Sequence, residues 1–562
     1  MENEKGGSVM YKRIKNALGL LLVSGMLIIV IFQENGYIKA QETKEFTAFF
    51  AVPGNTKDDY NEVQELIADI TGAKCQEIWL VGQTQEEAIA SYIASGEYPD
   101  FISGCATLYD AGALIPIDEY WDNYPNIRSY MSDGEWDRLR QADGHIYWIP
   151  QFGIVKGEAT EVVHEGEAFW IQTRVLKWAG YPKISTVEEY FALIEAYMEA
   201  NPCMESGEKN IPFTILCDDW RYFCLENPPQ FLDGYPNDGS CEVEPETLTV
   251  IDYNVTPTAR RYFSILNEAY HAGLIDPESF TQTYSEYLEK LASGRVLGMV
   301  DQWWQFSYDV NDSLARMSAQ GCSYVPLPVT IENGIKNQWH VKRGNDTDIA
   351  TGLAITTGCE DITGALQFVN DLLDDEVLKL RFWGVEGVDY EVDENGVFYR
   401  TEEQRLNSQK NDYMASHFCF YPYFPRLEGI LEDGKNAFSP EYQPEEFLAD
   451  LPDDIEECFA AYGCQNYVDM LGTNEPPGAW YPMYSHSDTL TSEQEAGRVW
   501  RAMTEVKQEY LPMVIMTDNF EEMWEQYMQS YEACHPEIFF EEMQREVDRR
   551  VAIADEVSPY EE

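Results

Sequence analysis

Apolar and polar positions change their period in blocks along the chain. Phe46 to Val52 is a short apolar stretch closed by Pro53-Gly54, and Val63, Leu66, Ile67 and Ile70 then recur at i, i+3, i+4 and i+7 before Gly72. This spacing predicts a strand, a loop and a helix. Ile78 to Val81 predicts the next strand. Thr84 with Glu87 forms a capping box for a helix that carries Ala88, Ile89, Tyr92 and Ile93 and ends at Gly96. A third strand follows at Asp100 to Ser103. A βαβαβ order implies a parallel sheet with right-handed crossovers, in which ligands bind beyond the carboxyl ends of the strands.

A second such region begins after Ala168-Phe169-Trp170-Ile171. Thr186 and Glu189 cap a helix with Val187, Tyr190, Phe191, Ile194 and Tyr197 on its apolar positions. Val296 to Val300 reads as a buried strand, entered through Gly294 and left straight into Asp301-Gln302-Trp303-Trp304. Residues 492–556 are mostly helical, with Phe520, Met523, Trp524, Tyr527, Met528 and Tyr531 on one face. No internal repeat and no low-complexity linker interrupts the series. The fold class is therefore α/β, with two doubly wound lobes and a helical C-terminal region.

Length and charge narrow the picture. The 562 residues exceed what a single core usually organises. Lys+Arg 38 against Asp+Glu 99 gives a net charge of −61, which repels phosphate backbones, so nucleic acid is not an expected partner. Lys12, Arg13 and Lys15 precede an apolar run from Ala17 to Phe32, the order of an export signal. At roughly 16 residues the run is near the lower limit of about 17 for a retained anchor. Ile38-Lys39-Ala40 is a mediocre cleavage site and no Cys follows for lipidation. The expected location is the outer face of the cell membrane or the medium. Lys5-Gly6-Gly7 can be encoded as a ribosome-binding sequence, which places the expected start at Met10. Twelve Cys without a C-x-x-C leave disulfide pairing open, and Cys217 with Cys224 is compatible with two reduced thiols. The seven dispersed His include no H-E-x-x-H, so neither a metal nor another cofactor is expected.

Several strings in order resemble the long, family-1 type of extracellular solute-binding protein. They are Ala94-Ser95-Gly96-Glu97-Tyr98-Pro99-Asp100, Gly112-Ala113-Leu114-Ile115-Pro116-Ile117-Asp118 and Tyr124-Pro125-Asn126-Ile127. Next come Asp143-Gly144-His145-Ile146-Tyr147-Trp148-Ile149-Pro150 and Gly384-Val385-Glu386-Gly387-Val388-Asp389-Tyr390. The resemblance implies a periplasmic-binding-protein-like fold with a ligand cleft between two lobes. It also implies delivery to the permease subunits of an ABC importer by a monomer without enzymatic activity. By the resemblance, lobe 1 comprises 41–168 and 351–410, and lobe 2 comprises 169–350 and 411–562. Residues 1–40 are then signal or anchor. Many relatives carry a calcium loop where this chain reads Asn201-Pro202-Cys203-Met204-Glu205-Ser206-Gly207-Glu208-Lys209-Asn210, with Cys, Met and Lys in place of oxygen ligands. Glu391 to Glu402 has EF-hand-like spacing, but Asp393-Glu394-Asn395-Gly396 equally suits a hairpin turn.

Aromatic residues make up 14% of the chain, and flat rings beside polar groups suit sugar faces. The expected ligand contacts are Trp303 and Trp304 after the strand ending at Val300, Trp220 beside Asp219, and Trp480 after Pro476-Pro477-Gly478. Gln151, Phe152 and Glu386 join them through their places at the crossings. Adjacent Trp at a strand exit point opposite ways, so one of the 303/304 pair is expected in the cleft and the other in the core. No catalytic residue is assigned. A secreted glycoside hydrolase with paired carboxylates stays open as an alternative, as do a peptide receptor and a surface sensor.

Overall fold

A computed structural model describes residues 43–54, 57, 58, 60–157, 160–342 and 349–557. The export segment and the Met10 start lie outside them. Nine strands build the two main sheets: β1 (Lys44–Phe50), β2 (Ala73–Trp79), β3 (Phe101–Gly104), β4 (Trp148–Ile149), β5 (Glu167–Gln172), β6 (Ile211–Thr214), β7 (Val296–Gln302), β8 (Tyr324–Leu327) and β9 (Gly352–Ile355). Their orders are β2-β1-β3-β9-β4 and β8-β5-β7-β6. The fold is that of a periplasmic-binding-type α/β protein with one sheet per lobe.

The local signals explain the first helices. In α1 (Glu62–Thr71) the Asn61 side chain accepts from Gln64 N at 3.0 Å, and Gly72 closes the helix in the left-handed region at φ 69°. In α2 (Gln85–Ser95) the Thr84/Glu87 capping box is formed. Three expectations change. The second strand runs from Ala73 to Trp79 instead of Ile78 to Val81, because an edge strand carrying Lys74 and Gln76 shows no apolar run. Neither sheet is wholly parallel: β1 and β3 are parallel, but β9, returning from the other lobe, is antiparallel to β3 and β4. Likewise β7 is parallel to β6 and antiparallel to β5. Finally, no loop follows β7, since Trp303 starts helix α3 (Trp303–Ala315).

Each lobe has its own core. Phe49, Phe101, Ile102, Trp148 and Leu353 anchor the first, and Phe169, Trp170, Phe213, Met299 and Val325 the second. Val162 and Val163 already belong to the second core. The return lies between Trp339 and Ile349. The boundary expected at 411 moves C-terminally, because Cys419, Tyr421 and Phe424 pack in lobe 1 and the second core resumes at Ile455. Its cause is visible: the buried Arg381 guanidinium donates to the carbonyls of Phe420, Tyr421, Phe424 and Pro425 at 2.9 to 3.3 Å, fastening this segment to lobe 1. Two crossing segments pair in parallel, Val155 with Glu428 and Lys156 with Gly429.

Helices α4 (Glu495–Met516), α5 (Phe520–Glu532) and α6 (Pro536–Val557) complete lobe 2. The apolar face read from the sequence of α5 puts Trp524, Tyr527 and Tyr531 in the core. All twelve cysteines are unpaired thiols. Residues 391–399 form the hairpin, with Asp393 accepting from the Asn395 and Val397 amides at 2.8 Å.

Asp301 on β7 is fully buried and accepts from the Tyr287 hydroxyl at 2.6 Å, Gln305 Nε2 at 2.6 Å and the Cys224 thiol at 3.3 Å. Burial pushes its carboxyl up to about 7, although these hydrogen bonds favour the ionised form. Glu167, on the adjacent strand, is pushed up by burial and by Asp301. An unfolded aspartate titrates near 4, so the stability held by the protonated form is complete below about pH 4 and lost as pH rises through about 7. The loss at this group is on the order of 4 kcal/mol at about 1.4 kcal/mol per pKa unit. Urea midpoints from pH 4 to 8 are expected to fall in the wild type, and Asp301→Asn is expected to flatten that slope. An unchanged slope in the variant would contradict the assignment.

Candidate functional site

Because β6 and β7 are parallel, their carboxyl ends share one edge of the lobe 2 sheet, and both deliver aromatic rings there. β7 runs directly into α3, whose residues 304 and 308 lie one turn apart on the same face. Trp304 is 37% exposed and Tyr308 62% exposed. The segment after β6 ends in the turn Asp219–Tyr222, where Asp219 takes φ 53°, a conformation unusual for any residue but glycine. That turn presents Trp220, 47% exposed, stacked on Trp304 at 5.9 Å and 14° between planes. The Trp304 indole N–H donates to Gln302 Oε1 at 2.7 Å, which orients the ring. Beside it Trp303 turns inward, with its ring 4.8 Å from Tyr467 and 5.3 Å from Trp170.

Lobe 1 offers a second surface. Gln151 is buried and its side-chain amide donates to the Tyr423 carbonyl, while its own carbonyl accepts from Arg426 N. Phe152, half-exposed, stands edge-on to Tyr423 at 5.6 Å and beneath the Arg426 guanidinium at 4.9 Å. Charges link the two sides. The Tyr308 phenol of lobe 2 is pushed up by Glu441, then Glu165, against Arg426 of lobe 1. Glu441, an exposed carboxyl, lies in the field of Glu165 and Arg426. Glu165 accepts from the Tyr442 hydroxyl at 2.6 Å. This is an aromatic cleft with a polar floor at the crossing strands, able to stack ring faces and to donate and accept hydrogen bonds.

The structure groups Trp304, Trp220 and Asp219 at the carboxyl edge of the lobe 2 sheet, and Gln151 and Phe152 around Tyr423 and Arg426 of lobe 1. Trp303 supports the first group from the core. Glu386 is exposed in the 384–390 turn, over the small cluster of Trp383, Tyr390 and Phe398, and shares no hydrogen bond or ion pair with the cleft residues. Trp480 is a correction. It is 2% exposed, packed in the lobe 2 core, because buried Arg550 draws in the carbonyls of Trp480 and Pro482. Sequence reasoning passed over Tyr308, Arg221, Tyr284, Tyr423 and Arg426. Only Tyr308 had a usable signal: once Trp304 is placed on a helix, the residue four further on shares its face. Among the described residues no group of His, Cys, Asp and Glu is arranged to hold a metal ion.

The fold is similar to that of solved solute-binding proteins of ABC transporters. No family model matches the chain. It is 25% identical over 288 residues to the fructooligosaccharide ABC transporter substrate-binding protein FusA of Streptococcus pneumoniae serotype 4, a match covering 47% of this chain and 48% of that protein. The chain therefore spans about half the length of the curated relative it matches. Similarity in three dimensions is more extensive. An EF-hand mutant of S. pneumoniae FusA in complex with fructo-nystose superposes with a TM-score of 0.63 at 18% identity, over 90% of this chain and 99% of that one. A human-milk-oligosaccharide-binding (HMO) solute-binding protein of Bifidobacterium longum infantis gives 0.61 at 14% identity, over 91% and 99%.

Proposed function

We propose that this chain is the extracellular solute-binding component of an ABC importer and captures an oligosaccharide between its two lobes. The observation that carries the reading is the exposed Trp220/Trp304 stack at the carboxyl edge of one lobe, with a second aromatic and cationic surface, Phe152 under Arg426, on the other lobe. A surface with two large, orientation-locked indoles suits the apolar faces of pyranose or furanose rings, while the surrounding carboxylates, phenols and guanidinium groups suit hydroxyls. FusA, named for fructooligosaccharides, supports the ligand class. FusA is named as a transporter substrate-binding protein, and the permease subunits of an importer are the partners proposed here. Among the described residues no helix is long and apolar enough to cross a membrane. Tethering at the outer face is assigned to the Ala17 to Phe32 segment.

A thermal-shift screen of mono- and oligosaccharides, fructooligosaccharides included, against peptides and polyamines tests the class. A ligand that binds the folded state alone raises its stability by RT ln(1 + [L]/Kd), about 2.7 kcal/mol at a hundredfold excess over Kd. Oligosaccharides are expected to raise the melting temperature. A response confined to peptides or polyamines would replace the reading.

One observation favours a second reading, glycoside hydrolysis. Glu441 and Glu165 lie in the same charged region, and a pair of carboxyl groups is the equipment of a glycosidase. Under the transport reading these acids serve as hydrogen-bond partners for sugar hydroxyls, and the bound sugar is expected to stay intact.

A further inference from the structure

Arg221 stands out among the cleft residues by what it lacks. Its guanidinium carbon lies 4.0 Å from the Tyr284 ring centroid and 4.6 Å from that of Trp220, so two aromatic rings pack against it. Its Nε is buried and has no hydrogen-bond acceptor. The aspartates just before it do not supply one: Asp218 Oδ2 accepts from the Tyr284 amide at 2.8 Å, and Asp219 is exposed. This is anomalous in a chain with 99 acids and 38 bases, whose other arginines include Arg140 on Asp118 and Asp137, Arg260 on Glu521, and Arg405 on Glu446. A buried cationic donor without an acceptor is costly, and a bound acceptor removes that cost. Arg221 lies close enough to lobe 1 for its charge to act, with that of Arg426, on the Tyr423 phenol.

We infer that Arg221 is a specificity-determining residue that receives a carboxylate of the ligand, so that the sugar held on Trp304 is an acidic oligosaccharide bearing a uronic-type carboxyl. The inference rests on the proposed saccharide-binding function. A planar fork held against aromatic rings matches a carboxylate by two parallel hydrogen bonds, whereas a lone hydroxyl satisfies only one. Fixing the fork against two rings also removes the entropy a free arginine loses on binding.

The test uses a glycan array of neutral and acidic oligosaccharides, followed by calorimetry with the tightest acidic glycan and with the same glycan after reduction of its carboxyl to the alcohol. Reduction is expected to weaken binding on the order of 30-fold or more. Arg221→Gln is expected to weaken the acidic glycan by a similar factor and the reduced one by less than about threefold, with Arg221→Lys in between because it keeps the charge and loses the fork. The reduced glycan tests the wild type directly, so the result stands even if a variant folds poorly. Equal affinity for the acidic and reduced glycans, or neutral glycans as the only ligands, would overturn the carboxylate assignment and leave saccharide binding intact. Binding of no glycan at all would overturn both.

Discussion

Trp304→Ala is expected to weaken oligosaccharide binding roughly ten- to a hundredfold while leaving the melting temperature nearly unchanged. Its ring is 37% exposed and packs chiefly on Trp220, so its removal deletes ligand-facing surface and opens no core cavity. Trp303→Ala is expected to do the reverse. The Trp303 ring lies against Trp170, Phe306 and Tyr467, and truncating a half-buried indole there costs about 3 kcal/mol of stability with a small direct effect on affinity. Calorimetry and thermal melts on both variants separate the two roles. Unchanged affinity in a folded Trp304→Ala protein would remove the stack from the binding site.

The other large effect concerns stability alone. Lys507 on α4 is fully buried and its ammonium lies 2.6 Å from Glu226, itself 9% exposed, beneath the Trp500 ring. Lys507→Met strands a carboxylate in the lobe 2 core and is expected to cost about 3–5 kcal/mol in urea unfolding. Replacing both partners by apolar residues of similar volume, Lys507→Met with Glu226→Leu, is expected to restore most of that loss, because the desolvation of two charges then disappears together. A double variant as unstable as the single one would show that the pair contributes packing geometry and not compensation of charge.

The sequence made the regular elements legible wherever a local signal closes them. Capping at Thr84 and Thr186 and the glycines at 72 and 96 bracket helices within a residue of where they occur. The apolar run at Val296 likewise exposes an inner strand. It was less informative where tertiary contacts decide. The β2 edge strand buries too little to show a period, and the segment around Cys419 is held to lobe 1 by Arg381, a partner some forty residues away. The Trp pair was found because a strand that ends in two indoles is unusual, and the helix that starts there sets which ring faces out. Trp480 misled for the opposite reason: its Pro- and Gly-rich neighbours look like a loop, and only buried Arg550 near the end of the chain draws that loop into the core. Arg221 carried no sequence signal at all, since its lack of an acidic partner is a property of the assembled cleft.

The central claim is that the cleft holds a sugar without changing it. Stoichiometric incubation of the protein with its tightest oligosaccharide, followed by chromatography of the recovered ligand and small-angle scattering of the complex, tests that claim most directly. One ligand per chain is expected to be recovered intact, with a smaller radius of gyration as the lobes close on it. Catalytic turnover of the sugar, abolished by Glu441→Gln, would contradict it and establish the hydrolase.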